Sequence, residues 1–247
     1  NISRPADRWR DRCGTHAGFG RLGASASPHA TPTRPATDTA TMKTPELILM
    51  ADAPDVLAAR LASGGHADRA GAVAELLVRA TVELATSFWP GEVCLYVAAG
   101  DGHPFFRELA GEFHLQLATQ VGDDPGQVMQ AALADGIARC GAAAALGCAV
   151  PHLPGLVLEE AFDHLAKGRS VLGPSDNGGY YLIGLQAPCP GLFQGIAWGG
   201  SAVLTDTLAR ARAEGLEFEL LPTERAIESW HDLFLASRRL EILQPYL

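Results

Sequence analysis

Short apolar runs alternate with segments whose apolar residues recur at helical spacing through residues 42–247. Continuous apolar runs predict strands, and helical spacing predicts amphipathic helices. The predicted strands are residues 47–50, 93–98, 114–118, 143–150, 170–172, 180–185 and 217–221. The predicted helices are residues 67–88, 104–111, 125–139, 154–167, 202–214 and 229–240. This alternation predicts an α/β fold with a single, mainly parallel sheet that carries helices on both faces.

Residues 1–41 differ from the rest of the chain. They are rich in Arg, Ser, Thr, Ala and Pro and show no periodic apolar pattern. Three interpretations are open: translated sequence upstream of a start at Met42, an Arg-rich transit-like segment, or a disordered tail. Because the chain opens on Asn1, the first interpretation is favoured, and we expect residues 42–247 to form the domain.

The charge of the chain limits its partners. The net charge of −9 comprises +3 in residues 1–41 and −12 in the remainder, which holds only two lysines, Lys43 and Lys167. Such an acidic body is poorly suited to bind nucleic acid through its phosphates. The hydrophobic content of 47% supports a sizeable core, while no apolar run approaches the roughly 20 residues that span a bilayer. We therefore expect a small-molecule ligand and neither nucleic acid nor membrane as a partner.

The cysteines indicate a reducing compartment. They are dispersed and form no CxxC pair: Cys13, Cys94, Cys140, Cys148 and Cys189. Cys94 and Cys148 fall in apolar strand-like runs, which favours buried reduced thiols over a disulfide framework and predicts a cytoplasmic location. The motifs GxxxxGK[ST], GxGxxG, GxSxG and HExxH do not occur. His152 and His164 are interpreted as surface or cap residues, and Ser201 as a helix N-cap.

The segment 172–185, reading LGPSDNGGYYLIGL, is the most informative part of the chain. Asp176 and Asn177 lie at the mouth of the strand that follows, where open α/β sheets hold ligands. Gly178 and Gly179 allow a positive φ or the close approach of a ligand. A tight hairpin between two core strands is the alternative interpretation.

Several short motifs follow one another along residues 46–235. They are Arg60-Leu61, Gln120, Asp124-x-Gly126-x-x-Met129, Gly147-x-x-x-Pro151-x-Leu153, the segment 173–185, Leu192-Phe193, Trp198, Val203, Leu221-Pro222 and Asp232-Leu233. In this order and spacing they resemble a bacterial glycosyltransferase family of nucleotide-diphosphosugar transferase (GT-A-like) fold, often labelled as arsenosugar-biosynthesis or radical-SAM-associated transferases. The resemblance implies transfer of a sugar, or of a nucleotidyl group, from a nucleotide-diphosphosugar donor with Mg²⁺ or Mn²⁺.

The chain departs from that family where phosphate and metal are expected. In the family's Pro-x-Pro-Gly-x-x-Lys-Thr-Arg-Leu loop, the glycine is replaced by Asp55 and the lysine by alanine. The acid of the Gly-Thr-Asp-Cys-Pro box is Ala149, that of the Asp-Gly-Gly turn is Asn177, and the first acid of the Asp-Val-Asp box is Ala226. Carboxylates and cations supply much of the charge stabilisation for a leaving diphosphate, so these replacements predict a degenerate site.

The resemblance still assigns site residues to the chain. The catalytic candidates are Asp176, Asn177 and Glu228. The binding candidates are Arg60, Asp124, Gly178, Gly179 and Trp198. No residue is assigned as a metal ligand, and Asp176 is the nearest substitute for the carboxylate replaced by Asn177.

Structural roles compete with several of these assignments. Asp124 precedes Pro125 and fits a helix N-cap as well as an acid. Arg60 fits a surface ion pair, Trp198 a loop anchor, and Asp232 an acidic residue at a helix N-terminus. Three functions follow: a transferase with a degenerate site, a catalytically silent relative that binds a ligand or partner, and a metal-independent transferase that relies on protein dipoles.

Overall fold

A computed structural model of the protein describes residues 44–62, 67–98 and 102–238. The strands are β1 (Glu46–Ala51), β2 (Val93–Val97), β3 (Gln116–Thr119), β4 (Ala143–Gly147), β5 (Ser170–Pro174), β6 (Tyr180–Leu185) and β7 (Phe218–Leu220). The helices are α1 (Pro54–Ala62), α2 (Ala67–Phe88), α3 (Pro104–Phe113), α4 (Pro125–Cys140), α5 (Gly155–Ala166), α6 (Val203–Ala213) and α7 (Trp230–Ala236). A 3₁₀ helix covers Pro190–Phe193.

The strands form one seven-stranded sheet in the order β3-β2-β1-β4-β6-β5-β7. The pairs β1–β2, β2–β3, β1–β4 and β5–β7 are parallel, whereas β6 is antiparallel to both of its neighbours. The predicted α/β fold with a mainly parallel sheet is therefore confirmed. No helix among the described residues is both long and apolar enough to cross a membrane.

Alternate residues along the strands belong to two hydrophobic cores, one on each face of the sheet. Leu47 and Leu49 of β1 pack on one face, which α1, α2, α3, α5 and α7 cover. Ile48 packs on the opposite face, which α4, α6 and the 3₁₀ helix cover. Strands buried on both faces explain why these segments read as continuous apolar runs.

An ion pair between the buried Glu46 and the partly exposed Arg139 links α4 to the sheet. Glu46, 2% exposed, accepts hydrogen bonds from Arg139 Nη2 at 2.8 Å and from Cys94 Sγ at 2.8 Å. Arg139 also binds Asp135, which in turn accepts from the hydroxyl of Tyr96. Burial and the neighbouring Glu46 carboxylate raise the pKa of the Cys94 thiol. Burial alone raises the pKa of the Cys148 thiol to about 12. Cys94 and Cys148 are both buried and outside any disulfide, as predicted.

The sequence pattern missed one helix and misjudged some ends. α1 begins only two residues after β1, in a stretch for which the pattern predicts neither helix nor strand. The strand predicted over residues 143–150 ends at Gly147 in the structure. The N-cap of α6 is Ala202, and the prediction of Ser201 as a helix N-cap is wrong. The predictions for residues 1–41 and for the last two residues of helix 229–240 lie outside the described residues.

Candidate functional site

An open cleft lies at the carboxyl ends of β1 and β4. From β1 the chain proceeds through β2 to β3 on one side, whereas β4 pairs with the other side of β1. The order of the strands thus reverses between β1 and β4, and open α/β sheets bind ligands at such a point. A cavity of about 370 Å³ opens there.

The cavity of about 370 Å³, here called the large cavity, has an apolar floor and an acidic rim. The floor includes Met50, Val128, Met129, Ala145, Tyr180 and Ile183. The rim carries Asp52, Gln120, Asp123 and Asp124. A ligand with a flat or apolar part and hydrogen-bonding groups at its edge suits such a lining.

A cavity of about 170 Å³, the small cavity, adjoins the large one. The two share five lining residues: Met50, Asp52, Gly147, Tyr180 and Tyr181. The small cavity adds Arg60, Ala149, Ala226 and Glu228. Ala149 and Ala226 are two of the three positions at which the resemblance expects an acid, and the third, Asn177, lies outside this cavity. Together the two cavities fall in the size range of about 300–1,000 Å³ that is typical of small-molecule sites.

Asp52 stands where the two cavities meet, directly after β1. It forms an ion pair with Arg60, which lies two turns along α1. The sequence reasoning assigned Arg60 but missed Asp52. The available signal was a single acid that immediately follows an apolar strand, the position at which parallel sheets present polar groups to ligands.

Gln120 joins the ends of two strands at the rim of the large cavity. Its Nε2 donates to the carbonyl oxygen of Ala51 at 3.1 Å and to that of Tyr96 at 3.0 Å. Of the two ends of the amide, only the nitrogen can satisfy two carbonyl acceptors, so the orientation of the amide is fixed. The Gln120 side chain therefore holds β1 and β2 together and offers its oxygen as an acceptor.

Two of the predicted binding residues, Asp124 and Trp198, make contacts that stabilise the fold. Asp124 is the N-cap of α4, since its Oδ1 accepts from Gln127 N at 2.9 Å, and its Oδ2 accepts from Gln127 Nε2 at 2.9 Å. Trp198 packs on Gly126 so closely that a Cβ on that glycine would lie 2.7 Å from the indole. Asp124 still lines the large cavity, whereas Trp198 lines neither.

Asp176, Asn177, Gly178 and Gly179 form the tight turn of the β5–β6 hairpin. Gly179 N donates to Asn177 Oδ1 at 3.0 Å, and Gly178 has a φ of +89°, so the predicted positive φ is confirmed. None of these four residues lines the large or the small cavity. Their assigned roles in catalysis and binding stay predictions.

Asp176 faces a third cavity of about 250 Å³, with His152, Glu224 and Arg225. Arg225 forms ion pairs with Asp176 and with Asp232, which also closes a capping box with Ser229 at the start of α7. His152 Nε2 lies 3.9 Å from Glu224 Oε2. Asp176 thus lines a different cavity from Glu228 and Arg60, with which the sequence analysis grouped it.

The described residues do not form a metal centre. Among them, no group of three or more His, Cys, Asp or Glu side chains is placed to hold an ion. The small cavity presents Asp52, already paired with Arg60, and Glu228, while Ala149 and Ala226 supply no donor side chain. Mg²⁺ and Mn²⁺ require several hard oxygen ligands, so these residues fit a resident divalent ion poorly.

Comparison with known proteins identifies the fold. A family described as "Uncharacterized protein conserved in bacteria (DUF2064)" matches residues 81–200. No curated protein matches the chain. A candidate nucleotide-diphospho-sugar transferase from Desulfovibrio desulfuricans has a similar structure, with a TM-score of 0.68, 22% identity, and coverage of 83% of this chain and 99% of that one.

Two further structures are more distant. 4-Diphosphocytidyl-2C-methyl-D-erythritol synthase from Anaerococcus prevotii has a TM-score of 0.55 at 9% identity and covers 81% of this chain and 96% of its own. Rv0371C from Mycobacterium tuberculosis, in complex with manganese, has a TM-score of 0.51 at 14% identity, with coverage of 81% and 98%. The chain therefore has the fold of nucleotide-diphosphosugar transferases and nucleotidyltransferases, which confirms the fold predicted by resemblance.

Proposed function

We propose that the chain binds a nucleotide-diphosphosugar in the cleft at the carboxyl ends of β1 and β4 and acts as a glycosyltransferase with a degenerate metal and phosphate site. The observation that carries this proposal is the cleft itself, which lies at the reversal of strand order in a fold shared with nucleotide-sugar transferases. The narrower resemblance to arsenosugar-biosynthesis or radical-SAM-associated transferases supports a sugar as the transferred group.

The dimensions of the cleft support a two-part ligand. The large cavity, with its apolar floor, suits a nucleoside, and the small cavity suits a compact polar group such as a sugar. Asp52, Gly147 and the two tyrosines, Tyr180 and Tyr181, form the boundary between them. A diphosphate that joins nucleoside and sugar would cross this boundary.

The charge of the cleft supports the second candidate, a relative that binds its ligand without turnover. Among the described residues that line the two cavities, Arg60 is the only Lys, Arg or His, and Asp52 engages it. A leaving diphosphate depends on cations for several kcal/mol of transition-state stabilisation. We therefore expect slow transfer in the first candidate and none in the second.

A binding screen followed by a turnover assay separates these candidates. The melting temperature is measured with uridine, guanosine, cytidine and adenosine diphosphosugars, each with and without Mn²⁺. A rise for one nucleoside series supports the proposed ligand class, because a ligand that binds the native state stabilises it. Release of nucleoside diphosphate from the stabilising donor, with its sugar passing to water or to an added hydroxyl acceptor, identifies a transferase. Stabilisation without release in the presence of such acceptors identifies the silent relative. No rise with any donor would refute both.

Location and wider partners remain part of the proposal. The free state of the described cysteines, Cys94, Cys140, Cys148 and Cys189, supports a cytoplasmic location. The net charge of −9 supports a small-molecule ligand over nucleic acid. Fractionation of the expressing cell tests the location, and a gel-shift titration with duplex DNA and with RNA tests the exclusion.

A further inference from the structure

Asp52 occupies the boundary between the two cavities of the proposed site. It is the first residue after β1 and lines both the large and the small cavity. Its side chain is 47% exposed, so the carboxylate is open to the cleft rather than enclosed in the core. Any ligand that spans both cavities passes this carboxylate.

The charges around Asp52 are predominantly negative. Asp123 and Asp124 lie on the rim of the large cavity, and Glu228 lines the small one. Arg60 is the single cationic side chain among the described lining residues, and its ion pair with Asp52 offsets its charge. An anionic group placed at the boundary would meet a carboxylate directly and a guanidinium that is already engaged.

We propose that Asp52 is a specificity-determining residue that lowers the affinity of the cleft for ligands in proportion to the negative charge of the group at the boundary. The inference rests on the proposed function, since it assumes that a nucleoside occupies the large cavity. Asp52 acts in two ways. It repels the phosphate, and it holds Arg60, which among the described lining residues is the one arginine able to bind phosphate bidentately.

This role of Asp52 predicts how binding affinity changes along a series of ligands with increasing negative charge. The carboxylate has little effect on an uncharged nucleoside, because an apolar floor supplies most of that contact. Each phosphate adds negative charge near Asp52, so the expected affinity falls or stays flat from nucleoside to monophosphate to diphosphate. In a site built for diphosphate, cationic side chains make the affinity rise along the same series.

The test is a calorimetric titration of nucleoside, nucleoside monophosphate and nucleoside diphosphate into the full chain, without metal, at two salt concentrations. The base is the one that wild type binds in a screen of the four nucleosides. The variants are Asp52→Asn, which removes one charge at constant shape, and the double variant Asp52→Asn with Arg60→Gln. Asp68→Asn is the matched control, because Asp68 is also an exposed acid beside an arginine, Arg69, but lies outside both cavities.

Asp52→Asn is expected to tighten diphosphate binding about five-fold or more, since a unit charge at about 4 Å changes an interaction by about 1 kcal/mol even at the dielectric constant of water. Nucleoside affinity stays unchanged, the gain shrinks at high salt, and the double variant loses most of it. Asp68→Asn leaves the whole series as in wild type.

Two results would overturn the inference and are distinguishable from failure of the proposed function. If wild type binds the nucleoside and Asp52→Asn leaves diphosphate binding unchanged, Asp52 does not set ligand charge. If Asp52→Asn instead weakens diphosphate binding, the carboxylate contributes to binding, as a metal ligand or an acceptor would. If no nucleoside or nucleotide binds any variant, the proposed function fails, and this inference fails with it.

Discussion

Replacement of Gly178 by alanine tests how the β5–β6 turn is held. Gly178 has a φ of +89°, a conformation that side chains rarely adopt. A Cβ at this position would lie 2.1 Å from the carbonyl oxygen of Ser201, which belongs to the backbone and cannot rotate away. The carbonyl of Gly178 accepts from Leu204 N at 2.8 Å, so the turn is fixed to the first turn of α6.

Alanine at position 178 has two energetic costs, one from the backbone conformation and one from the steric clash, and they add. A left-handed conformation costs a residue with a Cβ about 1–2 kcal/mol, and a backbone displacement to relieve overpacking costs about 1–3 kcal/mol. We therefore expect Gly178→Ala to lower the free energy of unfolding by about 3 kcal/mol, measured by urea denaturation. The sum exceeds the roughly 1 kcal/mol that glycine propensity alone would give.

Two glycines of the same chain serve as controls. Gly199 has a φ of +80°, and a Cβ added there would have no atom within 4 Å, so Gly199→Ala isolates the conformational cost of about 1–2 kcal/mol. Gly179 lies outside the positive-φ range, and a Cβ there would meet only Asn177 Oδ1 at 3.3 Å, so Gly179→Ala is expected to cost less than about 1 kcal/mol. Equal losses for Gly178→Ala and Gly199→Ala would refute the claim that the Ser201 backbone limits the turn.

Three further predictions concern metal, the buried ion pair and acid stability. Calorimetry on the nucleotide-free protein is expected to show no micromolar Mn²⁺ binding, because the described residues form no cluster of three ligands. Glu46→Ala is expected to lower the free energy of unfolding by about 2 kcal/mol, since it removes the buried carboxylate that accepts from both Arg139 and Cys94. Glu219→Ala, which breaks an exposed pair with Arg169, costs at most about 1 kcal/mol. Burial favours the protonated form of Asp232, yet hydrogen bonds from Ser229 and Arg225 lower its pKa. The lowered pKa stabilises the folded protein above the ordinary pKa of an aspartate, and this stabilisation is lost as the pH falls below about 4. Asp232→Asn is expected to reduce the loss, measured by urea denaturation at about pH 7 and about pH 3.

A specific result would contradict each of these three predictions. Micromolar Mn²⁺ affinity would mean that the chain holds a metal site despite the replacements at Ala149 and Ala226. Equal losses for Glu46→Ala and Glu219→Ala would mean that the buried pair adds nothing beyond an exposed one. An identical fall in stability on acidification in wild type and Asp232→Asn would assign the acid sensitivity to other carboxylates.

The sheet could be predicted from the sequence because strands buried on both faces read as continuous apolar runs. Most helices could be predicted because burial of one face leaves apolar residues at helical spacing. The run at 93–98 and the helical spacing at 67–88 show it, and the structure places β2 and α2 there. α1 was missed because it has only nine residues, of which Pro54, Leu57 and Leu61 are buried, and so short a segment does not display a helical period.

The site was harder to predict because its residues converge from distant strands. Motif order pointed to the β5–β6 turn, since Gly178 and Gly179 are conspicuous in the sequence, but their positions follow from turn geometry and from packing against Ser201. Asp52 belongs to no motif. Its place directly after an apolar strand is visible in the sequence, but its place between two cavities appears only when β1 and β4 lie side by side. Which side chains share a cavity depends on strand order, which periodicity does not reveal.

The most direct test of the proposed cleft is to fill it. Gly147 lines both cavities, and a Cβ there would meet no atom closer than Tyr181 O at 3.9 Å, so Gly147→Leu adds a side chain to the cleft with little strain. Gly71→Leu is the control, since Gly71 lies on α2 with open space around it and outside both cavities. The donor that stabilises wild type is titrated into both variants by calorimetry. We predict that Gly147→Leu weakens binding by about ten-fold or more, equivalent to about 1.4 kcal/mol, while Gly71→Leu retains it. Wild-type affinity in a folded Gly147→Leu protein would contradict the assignment of this cleft as the binding site.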